Sequence, residues 1–190
     1  MQHKAKKFST RAKAVTSAAL LAAVGAGVAG AVSASADTPA AAPAAAPAAV
    51  KDKATTTTTH LTVDAATDAA RAALDAARKE GQRVSVAVVD RNGNTLVTLR
   101  GDGAGPQSYE SAVKKAYTAV SWNAPTSDLV KRLQNAPTLK DIPGTLFLAG
   151  GAPVAYGNAP VAGIGVAGAP SGDLDEKFAQ AGVAAISNGR

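Results

Sequence analysis

The side chains best suited to chemistry lie between residues 100 and 126. Arg100 precedes a glycine-rich loop at 101–105, and Lys115 follows it on a predicted helix. Both are cations that can hold a carboxylate through charge-assisted hydrogen bonds. Thr118, Trp122 and Thr126 add two hydroxyls and an aromatic ring where that helix ends. The alternative interpretation is structural, with solvated lysines at 114 and 115 and Thr126 as a helix cap.

The residues that are missing limit this chemistry further. The chain has no cysteine, its one methionine is the first residue, and His60 is the only histidine beyond residue 36. Region 84–122 therefore lacks thiol nucleophiles and imidazole metal ligands, and it must act through hydroxyls, carboxylates, amines and backbone groups. His60 lies at the edge of a low-complexity segment, where a linker role is favoured over ligation. The absence of cysteine also excludes disulfide bonds.

A second candidate site lies near the C-terminus, where Asp173, Asp175 and Glu176 stand at the start of a predicted helix. Carboxylates in this position interact favourably with the positive end of the helix dipole. The alternative is a surface site that binds iron ions weakly through clustered oxygen ligands.

The run at 163–168 has the spacing G-x-G-x-x-G, which is found in dinucleotide sites. Here the glycines lie within a predicted strand, and no acidic residue follows about 20 positions later. A nucleotide site is therefore not predicted. The glycines instead favour close packing of a helix or a neighbouring subunit against the strand.

The first 36 residues have the pattern of an export signal. Five basic residues precede an apolar run at 14–32, and Ala34-Ser35-Ala36 is a typical cleavage motif before Asp37. We expect an exported, soluble chain that begins at Asp37, the alternative being a retained N-terminal anchor. Removing those five residues leaves 15 basic and 14 acidic residues, a net charge of +1. Such a chain lacks the phosphate-neutralising surface that nucleic-acid binding requires.

Residues 37–59 are rich in Ala, Pro and Thr and contain too few large apolar side chains to fold. We predict a flexible linker here, followed by one domain over residues 60–190, which is long enough for its own core.

The domain is predicted to run in the order α-β-β-α-α-β-β-β-α. The helices begin at the caps Thr62, Ser108, Thr126 and Ser171 and end near Glu80, Trp122, Leu133 and Ile186. The strands are predicted at 84–89, 95–99, 142–149, 152–156 and 161–167, and Asn92-Gly93 forms the turn of the first hairpin. The fold class is therefore α+β, with an antiparallel sheet flanked by helices.

Motifs spread over residues 61–186 resemble one known family. They are AxxxGxxVSVAVVDRxG at 77–93, RGDGA at 100–104, SAxxKAxTA at 111–119, GGxPV at 150–154, IGVxG at 164–168 and DxDE at 173–176. Each is weakly specific, but together and in this order they are similar to the haem-degrading domain family (GlcG/HbpS-like).

The resemblance implies a central five-stranded antiparallel sheet between helices and a homo-oligomer, an octamer. It also implies haem binding and modulation of a membrane sensor kinase. The export signal and linker resemble those of members that accompany a redox-sensing two-component system. We therefore expect an exported haem-binding accessory protein that senses haem or redox stress. The alternatives are an enzyme that degrades haem with peroxide and releases iron, a corrinoid- or small-ligand-binding domain, and an oligomer without a ligand.

If the ligand is haem, the residues near the second helix become the predicted site. Haem iron is normally held by His, Cys, Met or Tyr, of which only His60 and three tyrosines remain in the processed chain. We expect Thr126 or Thr118 near the iron and Lys115 or Arg100 at the propionates, with Trp122 in an apolar wall. A site around His60 is the alternative.

Overall fold

The computed structural model of the protein describes residues 47–187, which contain a four-stranded antiparallel sheet with helices on both faces. In chain order the elements are α1 (Val63–Lys79), β1 (Ser85–Asp90), β2 (Thr95–Arg100), α2 (Pro106–Trp122), α3 (Thr126–Arg132), β3 (Gly151–Tyr156), β4 (Ala159–Ala167) and α4 (Gly172–Ser187). The strand order is β2-β1-β4-β3. The predicted α+β class with an antiparallel sheet is confirmed.

The predicted export signal and the first part of the predicted linker lie outside the described residues. Residues 47–60 are exposed and have regular structure only in the 3-10 turn Asp52–Ala54. His60 marks the join to the domain, with its Nε2 2.7 Å from Oγ1 of Thr58 and its Nδ1 4.0 Å from Oδ2 of Asp90. Within residues 47–187 no helix is long and apolar enough to cross a membrane.

Helix α1 combines a good N-cap with a stripe of small buried side chains. Oγ1 of Thr62 accepts a hydrogen bond at 3.2 Å from the amide of Ala65, as predicted for this cap. The stripe allows α4 to pack closely, since a Cβ on Gly182 would lie only 2.7 Å from the carbonyl oxygen of Ala69. The buried residues of α1 are Ala66, Ala69, Ala70, Ala73, Leu74 and Ala77.

The β1–β2 hairpin is confirmed, but its turn differs from the one expected of Asn92-Gly93. Only Gly93 adopts a positive φ, +88°, whereas Asn92 does not. The amide of Gly93 donates to the carbonyl of Asp90 at 3.0 Å, and the amide of Asp90 donates to the carbonyl of Asn94 at 2.8 Å. The chain therefore makes a three-residue loop with one left-handed glycine and a bulge in the ladder.

The carboxylate of Asp90 holds this turn and makes it sensitive to pH. Its Oδ1 accepts hydrogen bonds from the amides of Asn92 and Asn94, each at 2.8 Å. Burial opposes the charged form, but the hydrogen bonds from Asn94 and Asn92 and the nearby His60 outweigh it and lower the pKa of Asp90. A carboxyl whose folded pKa lies below its unfolded pKa stabilises the fold at higher pH. That stability is lost as the pH falls through the folded pKa.

We expect Asp90→Asn to lower the free energy of unfolding by about 1–2 kcal/mol at neutral pH, because charge-assisted hydrogen bonds become neutral ones. The difference from the parent should shrink in acid, where both proteins carry an uncharged side chain. Urea denaturation at neutral and at acid pH measures this. Asp102→Asn, at an exposed position, is the matched control. A loss of equal size at both pH values would contradict a role for the charge.

Two helix starts differ from the prediction because prolines lie next to them. Helix α2 begins at Pro106, whose missing N–H is not needed in the first turn. Ser108 therefore lies inside the helix, where its hydroxyl donates to the carbonyl of Gly105 at 2.6 Å. Pro125 precedes α3, so Thr126 is the first helical residue rather than the cap. Neither hydroxyl caps its helix, and each contacts a group outside the helix: the hydroxyl of Ser108 lies 2.8 Å from that of Ser85, and that of Thr126 accepts from the amide of Gly151.

The predicted strand at 142–149 does not form, and the sheet has four strands instead of five. Pro143 cannot donate to a ladder, and Gly144 takes a φ of +79°, which breaks the extended conformation. The segment is instead a loop, and the amide of Leu146 donates to Oγ1 of Thr118 at 2.8 Å. This edge of the sheet is therefore β3, and the opposite edge is β2.

Glycines in β4 allow α2 to lie directly on the sheet. A Cβ on Gly163 or Gly165 would overlap the carbonyl oxygens of Ala116 and Ala112. This confirms the interpretation of the 163–168 run as a close-packing surface. The opposite face of β4 enters the core with α1 and α4 through Ala162, Ile164 and Val166.

Candidate functional site

A buried ion pair joins α2 to α4. Lys115 is only 2% exposed, and its Nζ donates to Oδ2 of Asp175 at 2.8 Å and to the carbonyl of Val166 at 3.0 Å. Burial raises the pKa of the Asp175 carboxyl, although Lys115 and the amides of Ala169 and Gly168 favour its charged form. Lys115, predicted to hold a carboxylate of a ligand, thus holds a carboxylate of the protein.

A second carboxylate, that of Glu176, caps helix α3. Its Oε2 accepts hydrogen bonds from the amide of Ser127 at 2.9 Å and from the hydroxyl of Thr126 at 3.3 Å. The hydroxyl of Ser127 donates to Oε1 at 2.5 Å. A carboxylate here satisfies amides at the helix start and interacts favourably with its dipole. It supplies the cap that Thr126 was predicted to supply.

Gly150 and Gly151 let these buried groups meet. Gly150 has a φ of +132°, and a Cβ on it would lie 2.6 Å from Nζ of Lys115. The amide of Gly151 donates to Oγ1 of Thr126 at 2.7 Å. In the sequence these glycines stand out only as the start of the motif GGxPV at 150–154. They belong to what we call the buried polar cluster, which ties α2, α3 and α4 to β3 and consists of Lys115, Thr126, Ser127, Gly150, Gly151, Asp175 and Glu176.

Thr118 and Trp122 lie further along α2, away from the ion pair. The hydroxyl of Thr118 is fully buried and donates to the carbonyl of Lys114 at 2.7 Å while accepting from the amide of Leu146. The ring of Trp122 meets Phe147 edge-on, with centroids 5.2 Å apart and planes at 69°. Thr118 therefore holds the loop that carries Phe147 to Trp122.

Tyr117 extends this aromatic surface. A Cβ on Gly93 or Gly144 would lie 2.9 Å or 3.6 Å from its ring atoms, so the ring fits between the hairpin turn and the 142–149 loop. Ile142, at the start of that loop, is 40% exposed. We call Tyr117, Trp122, Ile142 and Phe147 the aromatic corner.

The hydrogen bonds and close contacts of Arg100 and His60 involve no residue of the buried polar cluster or of the aromatic corner. Arg100 ends β2, and its Nη2 donates to the carbonyl of Ala104 at 2.6 Å, which braces the glycine-rich loop. His60 contacts Thr58 and Asp90 at the hairpin turn. The predicted site residues are thus divided between the buried polar cluster, the aromatic corner and these two separate positions.

The three acidic residues at the start of α4 do not form one exposed group. Asp175 and Glu176 are buried and engaged by protein donors, whereas Asp173 faces solvent. No group of three or more acidic or histidine residues within 47–187 is arranged to hold a metal ion. The expected surface cluster is therefore wrong in its geometry, because α4 turns successive carboxylates in different directions.

Sequence reasoning missed Ser127 and Phe147. Thr126 and Ser127 after a proline indicate a helix start, but nothing local indicates that Glu176, 49 positions from Ser127, completes it. Phe147 lies in an apolar run that suggested a strand and concealed its contact with Trp122.

These features define a small α+β domain in which an antiparallel sheet lies between helices and a buried polar cluster holds one sheet edge. The chain belongs to the HbpS-like family, since residues 61–184 match the family described as "Haem degrading protein HbpS-like". Among curated proteins none is similar enough to count as a match.

Solved structures agree with this assignment. A double mutant of Streptomyces reticuli HbpS is 74% identical, with a TM-score of 0.75, over 76% of this chain and 99% of that chain. The Klebsiella pneumoniae protein ORFY is 26% identical, with a TM-score of 0.68, over 75% and 100% of the two chains. A PduOC protein in complex with haem is 28% identical, with a TM-score of 0.62, over 68% and 96%.

Proposed function

We propose that this protein is an exported haem-binding accessory protein that senses haem or redox stress and modulates a membrane sensor kinase. The observation that carries haem binding is family membership together with a 28% identical neighbour that was solved as a haem complex. The 74% identical HbpS structure supports the same ligand class through its family. Bound haem would supply the redox chemistry of its iron.

The described residues provide a surface that suits the flat face of haem, but they do not favour the predicted iron ligands. A flat apolar ligand needs an apolar wall, which the aromatic corner provides at the end of α2. The hydroxyls of Thr118 and Thr126 are fully buried, and each has two protein partners. Coordination of the haem iron by either hydroxyl would break those hydrogen bonds. Thr118 and Thr126 therefore remain predicted iron ligands that this geometry does not favour. Tyr117 lies within the aromatic corner, and tyrosine is one of the residue types that commonly ligate haem iron.

Lys115 and Arg100 remain the predicted partners of the propionates, but they differ in burial and in the contacts that they already make. Lys115 is buried and uses two of its three N–H groups within the protein, whereas Arg100 is exposed and donates one hydrogen bond to Ala104. Arg100 therefore has more free donors for a propionate, although it lies before the start of α2 and the aromatic corner lies at the end of that helix. His60 stays the alternative at the linker edge.

Adding haemin to the purified domain tests the function. A stable, shifted Soret band is expected, because binding moves haem from water to an apolar wall. Decay of the band with release of iron would instead support haem degradation, the second candidate, which the printed family description favours. An unchanged spectrum would contradict both functions.

We expect Ile142→Asp to weaken haemin binding roughly tenfold or more, because a charge would lie in the apolar contact. Tyr156→Asp is the matched control, since Tyr156 is 72% exposed at the β3–β4 turn. A Soret titration of both variants measures the two affinities. If only the control variant weakens binding, or neither does, the aromatic corner is not the haem face.

Export and assembly belong to the same proposal. The basic, apolar and small-residue pattern of residues 1–36 supports cleavage before Asp37, which terminal sequencing of protein from the culture fluid would check. The close relation to HbpS supports a homo-oligomer, an octamer, which light scattering would detect. A full-length chain found only in membranes, or a monomer at micromolar concentration, would contradict the respective step.

A further inference from the structure

A cleft of about 380 Å³ opens beside the buried ion pair of Lys115 and Asp175. One wall is the first part of α2, with Gln107 and Ser111, and the other is the loop at 168–172 that leads into α4. Leu148 lies at its rim. This volume is within the range of small-molecule sites. The cleft is distinct from the aromatic corner, so it concerns a ligand other than the haem of the proposed function.

Two polar residues of the cleft, Lys115 and Ser111, have donor groups that no described residue engages. Nζ of Lys115 has three N–H groups and donates two hydrogen bonds, and no third acceptor lies within reach among residues 47–187. The hydroxyl of Ser111 makes no hydrogen bond to any residue in the same part of the chain. A ligand that fills this cleft must therefore supply acceptors.

The surroundings favour a negative ligand without demanding a highly charged one. Helices α2 and α4 both begin at the cleft, and each helix start carries a partial positive charge. Because Asp175 already neutralises the charge of Lys115, the electrostatics of the cleft favour one additional carboxylate group rather than several. A single free N–H on Lys115 matches a single carboxylate.

Part of the lining is apolar. Leu148 is 52% exposed, and it lines the cleft together with Pro170, Ala167 and Ala169. An apolar group of a ligand would cover Leu148 and remove that surface from water.

We propose that this cleft binds a short-chain organic monocarboxylate. Its carboxylate accepts hydrogen bonds from Lys115 and Ser111, and its apolar chain lies against Leu148 and Pro170. The glycines at 168 and 172 allow this loop wall to pack closely against the backbone of Arg83 and Ala149.

Titration of the ¹⁵N-labelled full domain with sodium butyrate tests this proposal. We expect saturable shifts of the amide signals of Gly168 and Gly172. Butyramide has the same size without the charge and should bind roughly tenfold more weakly, because one charge-assisted hydrogen bond is lost. Equal binding of both compounds, or no saturable shift with butyrate, would overturn the assignment.

Two variants of α2 locate the site. Ser111→Phe fills the cleft and should abolish the butyrate shifts, whereas Ser121→Phe, at an exposed position on the same helix, should retain them. Ser111→Ala keeps the space and should weaken binding several-fold, which provides a readout if the phenylalanine disturbs the fold. Butyrate shifts that persist unchanged in both Ser111 variants would place the ligand elsewhere and reject the proposal. The Ser111 variants should leave haemin binding unchanged, because the cleft is separate from the aromatic corner. A failure of the monocarboxylate proposal can therefore be told from a failure of the haem proposal.

Discussion

Gly165→Ala is expected to lower the free energy of unfolding by about 3 kcal/mol, although only one methyl group is added. The new Cβ would overlap the carbonyl oxygen of Ala112 and lie 2.5 Å from the amide nitrogen of Ala116. Both atoms belong to the backbone of α2, which cannot rotate aside as a side chain can. Strand preference alone predicts the opposite sign, because alanine is less flexible than glycine. Urea denaturation followed by circular dichroism measures the change.

Gly157→Ala is the matched control for this prediction. Gly157 has a φ of +58° in the β3–β4 turn, and nothing lies within 4 Å of the position of its Cβ. We expect a loss of about 1 kcal/mol from backbone strain alone. If Gly165→Ala costs no more than this control, α2 does not lie directly on β4.

Lys115→Met is the second change with a large expected effect, a loss of about 3–5 kcal/mol. The methionine fills much of the space but leaves Asp175 buried without its counter-charge. The pKa of Asp175 is already raised by burial, and losing Lys115 raises it further. A carboxyl whose folded pKa lies above its unfolded pKa destabilises the fold when it is ionised. The deficit is therefore largest at neutral pH and shrinks as the pH falls through the folded pKa.

Thermal and urea unfolding across this pH range give the comparison. The double variant Lys115→Met with Asp175→Asn should recover most of the stability, because the buried charge is gone and the amide of Ala169 keeps an acceptor. Lys114→Met, on the solvent side of the same helix, should change the stability by less than about 1 kcal/mol. A Lys115→Met protein as stable as its parent would mean that the pair is exposed to water.

Local signals accounted for most of the fold. Thr62 and Ser171 accept hydrogen bonds from the first turns of α1 and α4, as their residue types and positions predict. The Asn92-Gly93 signal found the hairpin but not its turn form, because the carboxylate of Asp90 favours a different arrangement of the same residues. Hairpins and caps are decided by neighbours in sequence, so the sequence can reveal them.

The candidate site depended on contacts that sequence does not reveal. Lys115 and Asp175 are 60 positions apart, and no periodicity relates them. The sequence predicts Lys115 as a cation for a ligand carboxylate and Asp175 as part of an acidic surface group, so it does not indicate that the two side chains meet. The apolar run at 142–149 resembled a strand because composition does not show that its loop packs on Trp122 and Thr118.

The edge-on contact of Trp122 with Phe147 has a practical consequence, since Trp122 is the only tryptophan in the chain. Its intrinsic fluorescence therefore reports on one corner of the molecule, without any added label. A colourless apolar compound that touches the corner would shift the emission wavelength. Haem, which absorbs light at those wavelengths, would quench the emission from a greater distance. The protein thus carries its own optical probe, with which contact at the corner and haem capture elsewhere can be told apart.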